Sequence, residues 1–173
     1  RIAVVRNPVR IRQEIAKLDD GLRPRMNATG RLREAGQYAA PYMLDVLTGA
    51  RERDRKLQPY VIEAMVAIGR PLVVPLCESL RTLGPVAQQD VAGVLGRIGY
   101  PVALPYLKSR AVAADADEPT VEAMIAAFNK IAEGRPIGPD VNAARLWHML
   151  GEDYYAGRES LILQPQADYN AMW

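Results

Sequence analysis

The single histidine, His148, stands four residues before Glu152. On a helix that spacing brings imidazole and carboxylate onto one face. A zinc site needs three or four Cys, His or carboxylate ligands. The chain offers no second histidine and one cysteine, Cys77, so His148 and Glu152 read as a structural pair and no metal is expected. Cys77 lies within Pro75-Leu76-Cys77-Glu78-Ser79-Leu80, where apolar neighbours predict a buried small hydrophobe. With no second cysteine there is no internal disulfide. Neither a Gly-x-Ser-x-Gly elbow nor a phosphate-binding Gly-x4-Gly-Lys-Ser/Thr loop occurs. Gly93, Gly96 and Gly99 recur every three residues, but inside and at the end of a predicted helix. They predict close approach of another helix rather than a phosphate cradle. Asn27-Ala28-Thr29 fits the N-glycosylation acceptor pattern, with no export signal beside it. No residue stands out as catalytic, so the chain reads as non-enzymatic and free of cofactors.

Binding chemistry is better represented. Residues 1–56 carry 13 Lys/Arg against 7 Asp/Glu, whereas residues 57–173 carry 9 against 13. A basic front half that includes Arg23, Arg25, Arg31 and Arg33 suits a phosphate backbone or an acidic partner. Arginine is also a good helix former whose stem covers apolar surface, which accounts for the same excess without a ligand.

The elements that would position these residues repeat. Ala35-Gly36-Gln37-Tyr38-Ala39-Ala40-Pro41-Tyr42-Met43, Ile68-Gly69-Arg70-Pro71-Leu72-Val73-Val74-Pro75-Leu76 and Ile98-Gly99-Tyr100-Pro101-Val102-Ala103-Leu104-Pro105-Tyr106 align, their glycines 33 and 30 residues apart. A looser fourth copy ends at Gly134. Before the glycines run apolar stripes at spacings of three and four: Val61, Ile62, Met65, Val66 and Ile68, then Val91, Val94, Leu95 and Ile98. Glycine past the last apolar position can take the left-handed conformation that ends a helix. Pro71 and Pro101 then suit the first turn of the following helix, where no N–H is missed. Pro41, Pro75 and Pro105 sit early in their second helices. Each unit is therefore a helical hairpin that cannot bury its apolar face alone, so neighbours must stack.

These residues resemble short bacterial HEAT repeats. The likeness is carried by Arg31-Leu32-Arg33-Glu34-Ala35-Gly36 with Ala39, Ala40, Pro41, Tyr42 and Leu44; by Val66-Ala67-Ile68-Gly69 with Pro75 and Leu76; and by Leu95-Gly96-Arg97-Ile98-Gly99 with Ala103, Pro105, Tyr106 and Leu107. It spans about residues 22–134 and implies an all-α solenoid of about four stacked hairpins. Residues 1–21 then form an N-terminal segment whose capping helix over 9–19 carries Ile11, Ile15 and Leu18 and ends at Gly21. Arg51 to Lys56 form a charged connection, either a solvated loop or an extended helix end. Residues 135–140 form a breaker-rich link, after which Asp140 caps a helix reaching about Tyr155. That helix holds Trp147-x-x-Leu150-Gly151-x-x-Tyr154, which is similar to the first helix of a tetratricopeptide repeat. Leu163 and Pro165 depart from that repeat's second helix. Residues 160–173 read as an extended tail, with Leu161, Ile162 and Leu163 a short strand or apolar strap.

The resemblance implies a non-catalytic scaffold that offers its second helices to a protein or peptide. Asp45, Glu78, Arg81 and Lys108 are the expected partner-facing residues, and nucleic-acid binding through the four arginines named above is the alternative. Some HEAT-like folds resemble alkylpurine DNA glycosylases, and short HEAT repeats also occur in bilin lyases. Asp90 and Arg97 share one helix here, but the central repeats lack the tryptophan of the glycosylase constellation, and the lyase likeness singles out no residue. No apolar run approaches the roughly 20 residues of a membrane span; the longest, near Leu72 to Cys77, contains a proline. The expectation is a soluble segment of a longer protein, since the sequence starts at Arg1, with the cytoplasm favoured.

Overall fold

The computed structural model describes residues 7–158, apart from residues 50 and 139. Every regular element among them is helical. The first three helices are α1 (Pro8–Ala16), α2 (Leu22–Ala35) and α3 (Ala40–Thr48). The middle of the chain forms α4 (Glu52–Ile68), α5 (Val73–Ser79) and α6 (Pro85–Ile98). The last three are α7 (Ala103–Ala111), α8 (Glu118–Ala132) and α9 (Ala143–Tyr155).

The helices fall into two rows. In the first, α2 packs on α4, α4 on α6 and α6 on α8; in the second, α1 packs on α3, α3 on α5, α5 on α7 and α7 on α9. Across the rows, α2 meets α1, α4 meets α3, α6 meets α5 and α8 meets α7. One apolar core runs through both rows, from Ile11 and Leu18 at one end to Phe128 and Leu146 at the other. Leu32, Met65, Leu76, Leu95, Leu107 and Met124 are fully buried along it, each side chain contributing about 1.5–3 kcal/mol relative to exposure.

Local sequence sets where the helices begin and turn. Asn7, Asp117 and Asn142 cap α1, α8 and α9 by accepting from backbone N–H groups of the first turn, which satisfies donors the helix leaves orphaned. Between α4 and α5 the chain turns through 108°. Gly69 makes that turn with φ 76° and ψ −134°, a conformation that a residue carrying a Cβ adopts only under strain.

Several boundaries differ from the sequence reading. The helix over 9–19 stops at Ala16, because Lys17 already closes its end. Gly21, with φ 112°, instead starts α2. Arg51 to Lys56 form the cap and first turn of α4, where Glu52 and Asp54 suit the positive end of the helix. Pro71 and Pro101 lie in tight turns before α5 and α7 rather than in their first turns. Asn142, two residues beyond Asp140, caps α9 because its side chain reaches the Arg145 amide at 2.8 Å. The glycosylation triplet falls inside α2. The tail at 160–173, with the strap at Leu161 to Leu163, lies outside the described residues. Among those residues, no single helix is long and apolar enough to cross a membrane.

Candidate binding surface

Two grooves open along the second row. The first, about 760 Å³, lies between α1, α3 and the start of α4. Ile15, Val46 and Leu57 floor it, and Tyr42 and Arg12 line it. The Arg12 guanidinium lies over the Tyr42 ring, 4.8 Å from its centroid, a cation–π contact. The second groove, about 490 Å³, lies between α5, α7 and α9. There Trp147 stands edge-on to Tyr106, with centroids 4.5 Å apart at 67°, and its indole N–H donates to Ser109 Oγ at 3.1 Å.

The grooves share a construction. Tyr42 and Tyr106 occupy equivalent places in the repeat, each directly after the second-helix proline, Pro41 or Pro105. Each is half-buried, and each receives a planar side chain from the outermost helix of the row, Arg12 from α1 or Trp147 from α9. In the middle copy the equivalent residue is Leu76, wholly buried.

Electrostatics differ between the two. In the second groove, burial, followed by a hydrogen bond to Glu78 and that carboxylate's charge, pushes the Tyr106 hydroxyl well above the usual tyrosine range. Arg110 donates from Nε to Gln88 Oε1 at 2.7 Å and pairs with Asp115, so it is anchored rather than free for a ligand. In the first groove, Arg51, Arg53, Asp45 and Asp54 line the walls with Arg12. Among the described residues, none of these five makes an ion pair with another.

The residues expected to face a partner separate accordingly. Glu78 and Arg81 line the second groove, Asp45 lines the first, and Lys108 lines neither. The Lys108 ammonium lies 5.3 Å from the centre of the Phe128 ring on α8, on the side where α7 meets the first row. The aromatic members of both grooves escaped the sequence reading. The Pro-Tyr steps at 41–42 and 105–106 held the available signal, because their register repeats while the middle copy carries leucine.

The arginines of the alternative reading spread around α2. At about 100° per residue, Arg23, Arg25, Arg31 and Arg33 point in four different directions. Arg25 donates to Leu18 O at 2.7 Å and stacks over Tyr60. Arg31 pairs with Glu14 at 2.9 Å. Arg23 and Arg33 are exposed.

The remaining chemistry-bearing residues have local partners. His148 Nε2 stands 3.5 Å from Glu152 Oε1, both largely exposed. Cys77 is buried, and burial raises its thiol pKa far above the ordinary range, against reactivity at neutral pH. Arg97 makes a two-pronged contact with Glu63 on α4, both bonds 2.7 Å, while burial raises the Asp90 pKa. No group of three metal-ligating side chains occurs among the described residues. No protein-family model matches this chain, and neither a curated protein nor a solved structure is similar enough to count as a match.

Proposed function

We propose that this chain is a non-catalytic binding module, a HEAT-like α-solenoid of about four hairpins that offers its second-row helices to a peptide or protein. The matched construction of the two grooves carries the reading: each has a half-buried tyrosine, a planar side chain packed against it, and charged groups at the wall. Aromatic anchors with apolar floors and polar rims are what protein-binding patches concentrate. In the solenoid reading α8 belongs to the looser fourth copy that ends at Gly134, and α9, beyond the link at 135–140, packs its tetratricopeptide-like stripe back on α7. Nucleic-acid binding through α2 has less support, since its arginines form no common stripe and two of them hold the fold.

Selection of displayed random peptides against the purified chain tests the proposal. Enriched peptides should bind with an affinity that falls when Trp147 or Arg12 is replaced by alanine, and should be indifferent to Tyr155→Ala, a residue 97% exposed. Failure to enrich any peptide, together with oligonucleotide binding that weakens steeply with salt, would replace this reading with the nucleic-acid one.

A further inference from the structure

We infer, building on the binding-module reading, that the first groove takes an acidic segment of a protein partner, with Arg12, Arg51 and Arg53 as its carboxylate receptors. Three arginines line it together with apolar side chains, and among the described residues none forms an ion pair with a carboxylate. Arginines that serve the fold in this part of the chain look different: Arg25 donates to a backbone carbonyl, and Arg31 is paired with Glu14. Arg12 already rests over the Tyr42 ring, so part of its side-chain freedom is spent before its fork grips a carboxylate. Arg51 and Arg53 sit at the start of α4, a 17-residue helix with no side-chain cap, whose positive end also favours an anion.

The groove contains its own opposition. Asp45 and Asp54 line it too, leaving three positive groups against two negative ones. That balance favours an acidic side chain placed at Arg12 and disfavours a uniformly charged polyanion, which would meet both aspartates. It also makes a directional claim: removing Asp45 should strengthen binding rather than weaken it. Asp45 is exposed on α3, so its replacement by asparagine leaves the core untouched.

The test uses the whole chain and a selection from displayed random dodecapeptides, followed by calorimetric titration of one synthetic peptide from the enriched pool. The pool should be enriched in Glu and Asp next to an apolar residue. Arg12→Ala and Arg53→Glu should each weaken the chosen peptide about tenfold or more, and Asp45→Asn should tighten it about threefold. Arg53 is exposed, so its variant answers the objection that Arg12→Ala merely loosens α1. Enrichment of basic or uncharged peptides, or peptides sensitive to Trp147→Ala but not to the Arg12 and Arg53 variants, would overturn this assignment while leaving the binding-module reading intact. An empty selection would overturn both. An oligonucleotide that displaces the peptide and binds more tightly than it does would also overturn the assignment, in favour of nucleic acid.

Discussion

Gly96 on α6 lies so close to Ala127 on α8 that a Cβ built on the glycine would stand 3.1 Å from Ala127 Cα and 3.3 Å from its Cβ. The two helices meet almost backbone to backbone at that point. Gly93, one turn earlier on α6, is exposed, with nothing within 4 Å of the same construction. Of two glycines three residues apart, one is required by packing and the other is not.

Opposite outcomes therefore follow from similar substitutions. Gly96→Val should destabilise by about 2–3 kcal/mol or more, because it overpacks a helix contact that neither backbone can relieve cheaply. Gly93→Ala should stabilise by roughly 0.5–1 kcal/mol, since it removes a flexible residue from an exposed helix interior. Urea unfolding followed by circular dichroism measures both. Equal effects at the two sites would contradict the packing described for α6 and α8.

Gly69 tests the turn between α4 and α5. Its φ of 76° with ψ of −134° admits alanine only with strain of roughly 1–3 kcal/mol. A Cβ there meets only Val66 O, at 3.8 Å, so the loss on Gly69→Ala comes from backbone strain and not from crowding. A D-alanine introduced at this position by chemical ligation should restore most of the stability, because its preferred φ is positive. If L-alanine is tolerated without loss, the turn differs from the one described.

The repeat made the all-helical class and the turn positions legible. Glycines at fixed spacing, apolar stripes before them and prolines after them mark where one helix ends and the next begins, whereas the direct packing joins α1 to α2, α3 to α4, α5 to α6 and α7 to α8 rather than the helices on either side of each glycine. Boundaries were less legible where two residues compete for one role: Asn142 outdoes Asp140 as a cap because its side chain reaches the right amide. Arg51 to Lys56 read as either a solvated loop or an extended helix end, and the second holds: acidic residues at a helix start are favourable and the exposed side of α4 tolerates the rest. Among the three glycines spaced by three, sequence alone could not say that only Gly96 faces α8. The grooves were harder still. Charge and an assumed orientation singled out Asp45, Glu78, Arg81 and Lys108; the first three line the grooves beside aromatic side chains, and the Lys108 ammonium lies near Phe128 instead.

Trp147 joins α9 to α7 through a ring contact with Tyr106 and a hydrogen bond to Ser109. Its indole is 40% exposed, so truncation to alanine should cost about 1–3 kcal/mol rather than the larger loss of a fully buried tryptophan. Trp147→Phe keeps an aromatic ring beside Tyr106 but loses the hydrogen bond to Ser109 and part of the packed ring area, a cost of about 0.5–1.5 kcal/mol for the hydrogen bond on top of a smaller packing loss. Hydrogen exchange should show the loss confined to α9 and the adjoining part of α7, since among the described residues α9 is the last helix of its row. Faster exchange spread evenly through α2 to α6 would argue against that placement.

Glu14 gives the fold an acid-sensitive point. Burial by itself would raise the pKa of its carboxyl, but hydrogen bonds from Lys17 and Arg31, at 2.8 and 2.9 Å, together with their charges, outweigh burial and lower it. A carboxylate depressed in the folded state contributes stability that is complete above its unfolded pKa of about 4.3 and is lost as pH falls through the folded value. Glu14→Gln should therefore cost about 1–2 kcal/mol at pH 7, with the gap to the parent chain narrowing below about pH 4. Denaturant melts of both proteins between pH 7 and pH 2.5 measure that gap. A gap that stayed constant or widened toward low pH would mean that Lys17 and Arg31 do not hold the carboxylate in its ionised form, and that the joint between α1 and α2 rests on Ile11, Ile15 and Leu32 alone.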